Sequence, residues 1–357
     1  MINLKKKHLL KINRLRIPEK RDLKFGLRLD RNERVSDWEQ DIFSKIFKNF
    51  KGYNLSIYPD LDKIYNKVAK FDKVKTENIL LTSGIDGGIR VLFESFLNEK
   101  DKIAAPNPTY AMYEVYSKIF KTKLIKVNFD KNFKIDLKSL DLILKKKNLR
   151  VIFLPNPNQP IENYYSPKKL DQLAKKCARN KCILFVDEAY FHFGSQTAVG
   201  LIKKYNNVII ARTFSKGFGV PSIRLGYLIS NKNLIKFLSA NRLAHETNTL
   251  SVKVADYLLD NWKLVKKYNQ EVIRSREFVK KELKKIKISS DGRYGNYLLI
   301  DMKDKSKNEK LVNFLKRNKI YVKGPWKEPY ENFFSISIGP KSLMKKFLIK
   351  MKRFQNL

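Results

Sequence analysis

Apolar residues recur in two rhythms along this chain. Through its middle, short runs that are apolar at nearly every position alternate with stretches whose apolar residues return every three or four places. The runs are Asn78 to Thr82, Ile103 to Ala105, Leu124 to Val127, Val151 to Leu154, Ile183 to Val186, Val208 to Ala211 and Gly226 to Ile229. Unbroken apolar runs of this length fit strands covered on both faces. After Thr82 a glycine turn leads into a helical pattern that buries Ile89, Leu92, Phe93, Phe96 and Leu97, and a second predicted helix carries Met112 to Phe120.

Strand and helix alternating in this way predict an α/β fold with a mainly parallel seven-stranded sheet between helices. After about Glu246 the pattern changes to a long lysine-rich helical stretch. Two alternating strands, Tyr297 to Asp301 and Phe333 to Ile338, follow it. We therefore expect a large domain over residues 50–245 and a smaller α+β domain over 246–357, completed by an N-terminal segment, 1–49. No repeat or Pro/Ser/Gly-rich linker separates them.

In open α/β sheets, ligands bind beyond the carboxyl ends of the strands. Four polar or glycine-bearing turns fall there: Ser83-Gly84-Ile85-Asp86, Asn156 to Pro160, Asp187-Glu188-Ala189-Tyr190, and Thr213 to Gly219. The last follows a β-branched strand and contains Thr213, Ser215, Lys216, Gly217 and Gly219, with Arg224 just beyond. Hydroxyls and backbone N–H groups gathered in such a turn suit a phosphate. A lysine held there among other cations loses affinity for its proton and becomes a nucleophilic amine toward carbonyl carbon. A phosphate cradle beside an amine suggests a phosphorylated aldehyde, of which pyridoxal phosphate is the common one. The plainer alternative is a surface turn with one of many lysines.

Asp187 ends an apolar strand, where a carboxylate is costly unless it meets a cation. A protonated pyridine nitrogen would supply one, and Tyr190 three residues on could bond an oxygen of the same ring. A capping aspartate and a packed tyrosine are the simpler readings of each residue alone.

Charge changes this picture little. The formal net charge of +40 comes from 75 Lys and Arg against 35 Asp and Glu. The lysines are scattered over nearly every predicted helix and no nucleic-acid recognition motif accompanies them, so we expect a solvated surface that steers anionic substrates, not specific nucleic-acid binding. No apolar run approaches the roughly 18 residues of a membrane span. Cys177 and Cys182 lie close together without metal-ligand company, so no metal site and no disulfide framework are expected, in keeping with a reducing compartment. Met1 to Lys24 is basic but has no apolar core or cleavage site for secretion, and Glu19 and Asp22 interrupt a transit-like pattern. The expected location is cytoplasmic.

Taken in order, these turns resemble the pyridoxal-phosphate aminotransferases of fold type I, class I/II, and within them most closely the histidinol-phosphate aminotransferase group. Arg28 to Glu33 is similar to the segment that closes over the site, with Arg31 and Asn32 toward the substrate. Tyr58-Pro59-Asp60 is similar to the Tyr-Pro-Asp whose tyrosine reaches the cofactor phosphate of a partner subunit, which implies a homodimer. Ser83 to Asp86 matches the glycine turn, so that Gly84, Ile85 and Asp86 would hold the phosphate. Tyr110 matches the tyrosine stacked on the ring. Ser215-Lys216 with Arg224 matches the Schiff-base lysine and its phosphate-binding arginine.

The resemblance implies transfer of an amino group between a small amino donor and a keto or aldehyde acceptor. Lys216 would be both cofactor anchor and general base, with Asp187 on the ring nitrogen and Tyr190 and Gln159 on the ring oxygen. Thr213 would join Ser215 at the phosphate.

Two stretches depart from the pattern. Gln159-Pro160-Ile161-Glu162 stands where the family has Asn-Pro-Thr-Gly, so either Gln159 or Asn158 would supply the amide, and Glu162 would alter the loop beside the substrate. Phe334-Ser335-Ile336-Ser337-Ile338-Gly339 has Ser335 where the family's carboxylate-binding arginine stands. The missing cation would come from Arg31, Arg293, Lys323 or Lys327. Decarboxylation of a phosphorylated amino acid on the same fold is one rival reading, and a non-catalytic basic nucleic-acid-binding protein is another.

Overall fold

The computed structural model describes residues 6–14 and 21–356; Lys5 and Glu19 of the basic N-terminal stretch lie outside the described residues. In chain order the strands are β1 (Leu27–Leu29), β2 (Ile79–Thr82), β3 (Lys102–Asn107), β4 (Lys123–Asn128), β5 (Leu149–Pro155), β6 (Ile183–Asp187), β7 (Val208–Thr213), β8 (Gly226–Ile229), β9 (Ser289–Asp291), β10 (Tyr297–Asp301), β11 (Ile320–Val322) and β12 (Phe333–Ser337). Seven of them form one sheet in the order β2-β8-β7-β6-β5-β3-β4. Neighbours from β7 through β4 run parallel, while β8 lies antiparallel to both β7 and β2. All seven apolar runs of the sequence are strands of this sheet, and the expected fold class holds.

Alternation along each central strand explains why the runs are apolar throughout. Ile152, Leu154, Leu184, Val186, Val208 and Ile210 join the core on one face of the sheet. Val151, Phe153, Ile183, Phe185, Ile209 and Ala211 join the core on the other. Side chains a strand apart in parity therefore meet different helices. The helix Gly84–Phe96 buries Ile85, Gly88, Ile89, Leu92 and Phe93, one face at helical spacing. Gly88 lets that helix approach β8 closely, since a Cβ there would lie 2.7 Å from Leu228.

Pairing places Pro155 beside Asp187 and Asp187 beside Ala211 at the carboxyl ends of β5, β6 and β7. Asp187 shares its parity with Ile183 and Phe185. Its side chain thus follows the face covered by the helix Met112–Ile119.

Beyond the sheet, the helices Thr249–Asp260 and Trp262–Lys285 lead to a three-stranded antiparallel sheet ordered β12-β10-β9. A separate core joins this sheet to the helices Lys305–Arg317 and Lys341–Gln355 through Leu298, Ile300, Leu311, Leu315, Phe334, Met344 and Phe347. The N-terminal stretch divides. β1 pairs in parallel with β11, and Leu29 and Val35 enter this second core. Residues 7–11 instead form a 3-10 turn near the other lobe, where His8 Nε2 bonds the Ile119 carbonyl at 2.9 Å. Among the described residues no helix is long and apolar enough to cross a membrane.

Candidate functional site

The carboxyl ends of β5, β6 and β7 open on a cavity of about 520 Å³. Its walls include Ile85, Asp86, Tyr110, Gln159, Asp187, Tyr190, Thr213, Ser215, Lys216 and Arg224, together with Asp30, Arg31, Asn32, Glu33 and Lys323 from the chain ends. Residues scattered over nearly three hundred positions thus converge at one edge of the sheet.

Asp187 forms the floor. Its Oδ2 accepts the Tyr113 hydroxyl at 2.8 Å, and its Oδ1 accepts the Ala189 N–H at 3.0 Å. Burial pushes its pKa up to about 6, against the pull of these two donors. Both donors are neutral, so the carboxylate is well suited to a cationic partner from the cavity side.

Lys216 projects from the turn after β7. Its Nζ donates to the Arg31 carbonyl at 2.9 Å. Burial, reinforced by the Arg224 charge and opposed by Glu33 and Asp187, brings its pKa down to about 8. That carbonyl is held in place by its neighbour. Asn32 adopts φ +53°, its N–H donates to Ser337 Oγ at 2.7 Å, and its carbonyl accepts from Asn296 Nδ2 at 3.1 Å. The Asn32 amide also donates to the Tyr190 hydroxyl at 2.9 Å.

An anion cradle lies beyond Lys216. Gly84 opens the helix Gly84–Phe96 with φ +72°, and a Cβ on it would stand 2.9 Å from Arg224 Nη2. Only a residue without a side chain lets the guanidinium come so near the helix N-terminus, where unpaired N–H groups point outward. Arg224 Nη1 reaches Ser215 Oγ at 3.4 Å, and Thr213 Oγ1 accepts the Ser215 N–H at 3.0 Å. Asp86 stands beside them. Burial raises its pKa, while the charge of Arg224 lowers it.

Of the two amides that could serve the site, Gln159 lines the cavity. Asn158 is consumed within the loop: its Oδ1 accepts from Thr109 Oγ1 at 2.6 Å, and its Nδ2 donates to Ile161 and Pro108 carbonyls at 2.8 and 3.1 Å. Of the candidate cations, Arg31 and Lys323 line the cavity, whereas Arg293 and Lys327 do not.

Ser335, at the position of the family's carboxylate-binding arginine, is set back from the cavity. It is 1% exposed within β12 and lies outside the cavity wall. Its backbone exchanges two hydrogen bonds with Lys323, at 2.9 and 2.8 Å, so the lysine stands directly across from the serine. Glu162, on the loop beside the cavity, turns its carboxylate to the backbone N–H groups of Arg293 and Tyr294, one to each oxygen. Tyr58 is 76% exposed, away from this cavity, with its ring stacked on His245 at 3.9 Å.

Sequence reasoning missed Tyr113, Asp30 and Glu33. Tyr113 follows Tyr110 by three residues at the start of a helix, which puts the two on one side, and that spacing was the available signal. Asp30 and Glu33 share Arg21, at 3.1 and 3.3 Å, and nothing in their spacing revealed it.

Comparison with known proteins places the chain in a family. The profile of the family described as aminotransferase class I and II matches residues 27–350. A histidinol-phosphate aminotransferase of Thermoanaerobacter pseudethanolicus is 30% identical over 289 residues, 80% of this chain and 81% of that protein. A dihydroxyacetone phosphate transaminase of Campylobacter jejuni is 30% identical over 341 residues, 92% of this chain and 90% of that protein. The crystal structure of the Sinorhizobium meliloti histidinol-phosphate aminotransferase, in complex with pyridoxal-5'-phosphate, superposes with a TM-score of 0.84. It covers 92% of this chain and 90% of its own, at 19% identity, and so speaks to the fold.

Proposed function

Because this chain belongs to the aminotransferase class I and II family, we propose a division of labour within a pyridoxal-phosphate-dependent transaminase of the histidinol-phosphate aminotransferase kind. The observation that carries the reading is the shared cavity of Asp187 and Lys216, with the Gly84–Arg224 cradle at its edge.

The residues fit the cofactor. Asp187 offers a buried carboxylate bonded only by neutral donors, suited to a protonated ring nitrogen. At the cradle a Cβ on Gly84 would stand 2.9 Å from Arg224 Nη2, so the glycine brings that cation to the helix N-terminus, an arrangement suited to a phosphate. When bound, pyridoxal phosphate supplies a conjugated ring that takes up the electron pair left as a substrate C–H bond breaks.

The chain's own residues do the rest. Asp187 keeps the ring nitrogen charged, and Tyr113 keeps Asp187 oriented. Arg224, Ser215, Thr213 and the backbone of Gly84, Ile85 and Asp86 bind the phosphate. Tyr110 would pack on the cofactor, while Tyr190 and Gln159 would offer it hydrogen-bond donors. Lys216 would hold the cofactor through its amine. Its Nζ, when free, would be the base that holds the proton removed from the substrate carbon. A pKa near 8 suits an amine that must both accept and release that proton.

Arg31, Asn32 and Lys323 meet the substrate's anionic end. Tyr58 serves the neighbouring subunit of a homodimer, a reading supported by its exposure and that of Leu55 and Ile57 beside it. The division into 1–49, 50–245 and 246–357 and a cytoplasmic location belong to the same reading. What supports the first is the separate core in which Leu29 and Val35 of the N-terminal segment pack with Leu298, Ile300, Phe334 and Phe347 of the C-terminal part.

One observation favours a second choice of acceptor. Serine at 335 leaves a single lysine on that strand pair, which suits a phosphorylated ketone without a carboxylate, as the name of the Campylobacter relative suggests. Decarboxylation and nucleic-acid binding are not favoured.

The test is a panel. Enzyme loaded with pyridoxal phosphate is incubated with glutamate, and conversion of the cofactor to its amine form is followed by absorbance. 2-Oxoglutarate, dihydroxyacetone phosphate and the keto partner of histidinol phosphate are then offered as acceptors. Carbon dioxide release without the amine form would overturn transamination.

A further inference from the structure

Glu162 stands on the loop after β5, whose inner side presents Gln159 to the cavity. Its carboxylate is turned to the C-terminal lobe instead. Oε1 accepts the Arg293 N–H and Oε2 the Tyr294 N–H, both at 2.8 Å, in the turn between β9 and β10. The side chain is buried, 7% exposed, and Tyr164 packs on Tyr294 beside it at 4.4 Å between ring centres.

The loop that bears Glu162 is closed on itself. Asn158 N–H donates to the Asn163 carbonyl at 3.0 Å, and the Asn156 side chain bridges to Tyr165 at 3.0 and 2.7 Å. On the far side, β10 pairs with β12 so that Leu299 faces Ser335, and Ser335 pairs with Lys323. A chain of contacts, with the Glu162 carboxylate as its side-chain link, therefore runs from the Gln159 loop through the β9–β10 turn to Lys323.

We propose that Glu162 is a positioning residue: its carboxylate pins the β9–β10 turn to the Gln159 loop and so fixes the gap between the Gln159 amide and the Lys323 ammonium across the cavity. Its functional half rests on the transaminase reading above. Two N–H groups shared by one carboxylate form charge-assisted bonds that neither a glycine nor a single carbonyl oxygen can replace. Glycine leaves both donors without a side-chain partner, and burial makes that costly. Glutamine keeps the shape but presents one oxygen and one NH2, so it satisfies one donor and confronts the other.

The experiment compares wild type, Glu162→Gln and Glu162→Gly, each loaded with pyridoxal phosphate. Amide hydrogen exchange across residues 291–297 should quicken on the order of tenfold in the glycine variant, less in the glutamine variant. With the acceptor that wild type uses best in the panel above, KM should rise about tenfold in the glycine variant while kcat changes much less. The visible band of the bound cofactor should titrate at a shifted pH, because Gln159 has moved from the ring oxygen.

Unchanged exchange overturns the clamp. Faster exchange with KM and the visible band unmoved overturns the positioning role and leaves the transaminase reading intact. If the glycine variant does not fold, the isosteric glutamine variant carries the same three measurements. A wild-type chain that develops no visible band with pyridoxal phosphate would sink the transaminase reading before any variant is made, and the functional half of the proposal with it.

Discussion

Tyr113 donates its hydroxyl hydrogen to Asp187 Oδ2 at 2.8 Å, from the first turn of a helix to the end of β6. That bond favours the ionised carboxylate, against a burial that favours the neutral acid. Tyr113→Phe removes the donor, so Asp187 should keep its proton to a pH above about 6. Affinity for pyridoxal phosphate should fall about tenfold at pH 6 and much less at pH 8, where the carboxylate ionises anyway. Titration of the visible band at both pH values checks it; equal losses would remove Tyr113 from this role.

Asp187→Asn should separate stability from binding. Burial raises the folded pKa to about 6 from an ordinary 3.8. The ionised carboxylate thus costs the cofactor-free chain nothing below about pH 4, increasingly more between 4 and 6, and its full amount above 6, on the order of 3 kcal/mol. The asparagine variant without cofactor should melt higher than wild type at pH 8 and about equally at pH 4, while binding pyridoxal phosphate more weakly. A variant that melts lower at pH 8 would contradict the assigned environment.

Lys216→Ala should abolish turnover and leave no covalent adduct after borohydride treatment. In wild type, the rate of covalent capture of pyridoxal phosphate follows the unprotonated amine. With a pKa near 8, it should rise about fivefold from pH 7 to pH 8 and level off above pH 9. A rise that continues to pH 10 would mean an amine with its ordinary basicity.

Lys323→Met should raise KM for the anionic acceptor by about tenfold or more, the loss of one charge-assisted contact. Ser335→Arg, which restores the residue type the family carries at this position, should not help. The site is closed, 1% exposed and paired on both sides within the sheet. An arginine there should destabilise the fold by about 1–3 kcal/mol, read as a lower Tm, with no gain in glutamate use. Improved kinetics with glutamate would show that the strand can open to the cavity.

The large sheet was legible because its strands are covered on both faces, so burial is written at every position, as in Ile183–Asp187. Asp187 and Lys216 were legible because each is a costly residue type where a strand ends. Tyr113 was hidden because its partner lies 74 residues away and a tyrosine among apolar neighbours reads as core. The partners of Glu162 were hidden for a similar reason: they are 131 and 132 residues further on and are backbone groups, which leave no mark in the side-chain pattern. The N-terminal turn at His8 is held by a carbonyl 111 residues distant, and its lysine-rich sequence carries no periodicity to announce it.

The lateral alignment of β5, β6 and β7, with Pro155, Asp187 and Ala211 abreast, has a consequence for how this catalyst survives mutation. Sliding one strand by a single residue would turn the aspartate to the opposite side of the sheet, and would simultaneously drive Phe185 and Val186 into each other's places. Errors that misplace the chemistry therefore also ruin the hydrophobic interior, so a molecule that assembles at all has its acid group aimed correctly. Drift on the lysine-covered exterior escapes that scrutiny, and the chain can change most of its outer face without touching the reaction.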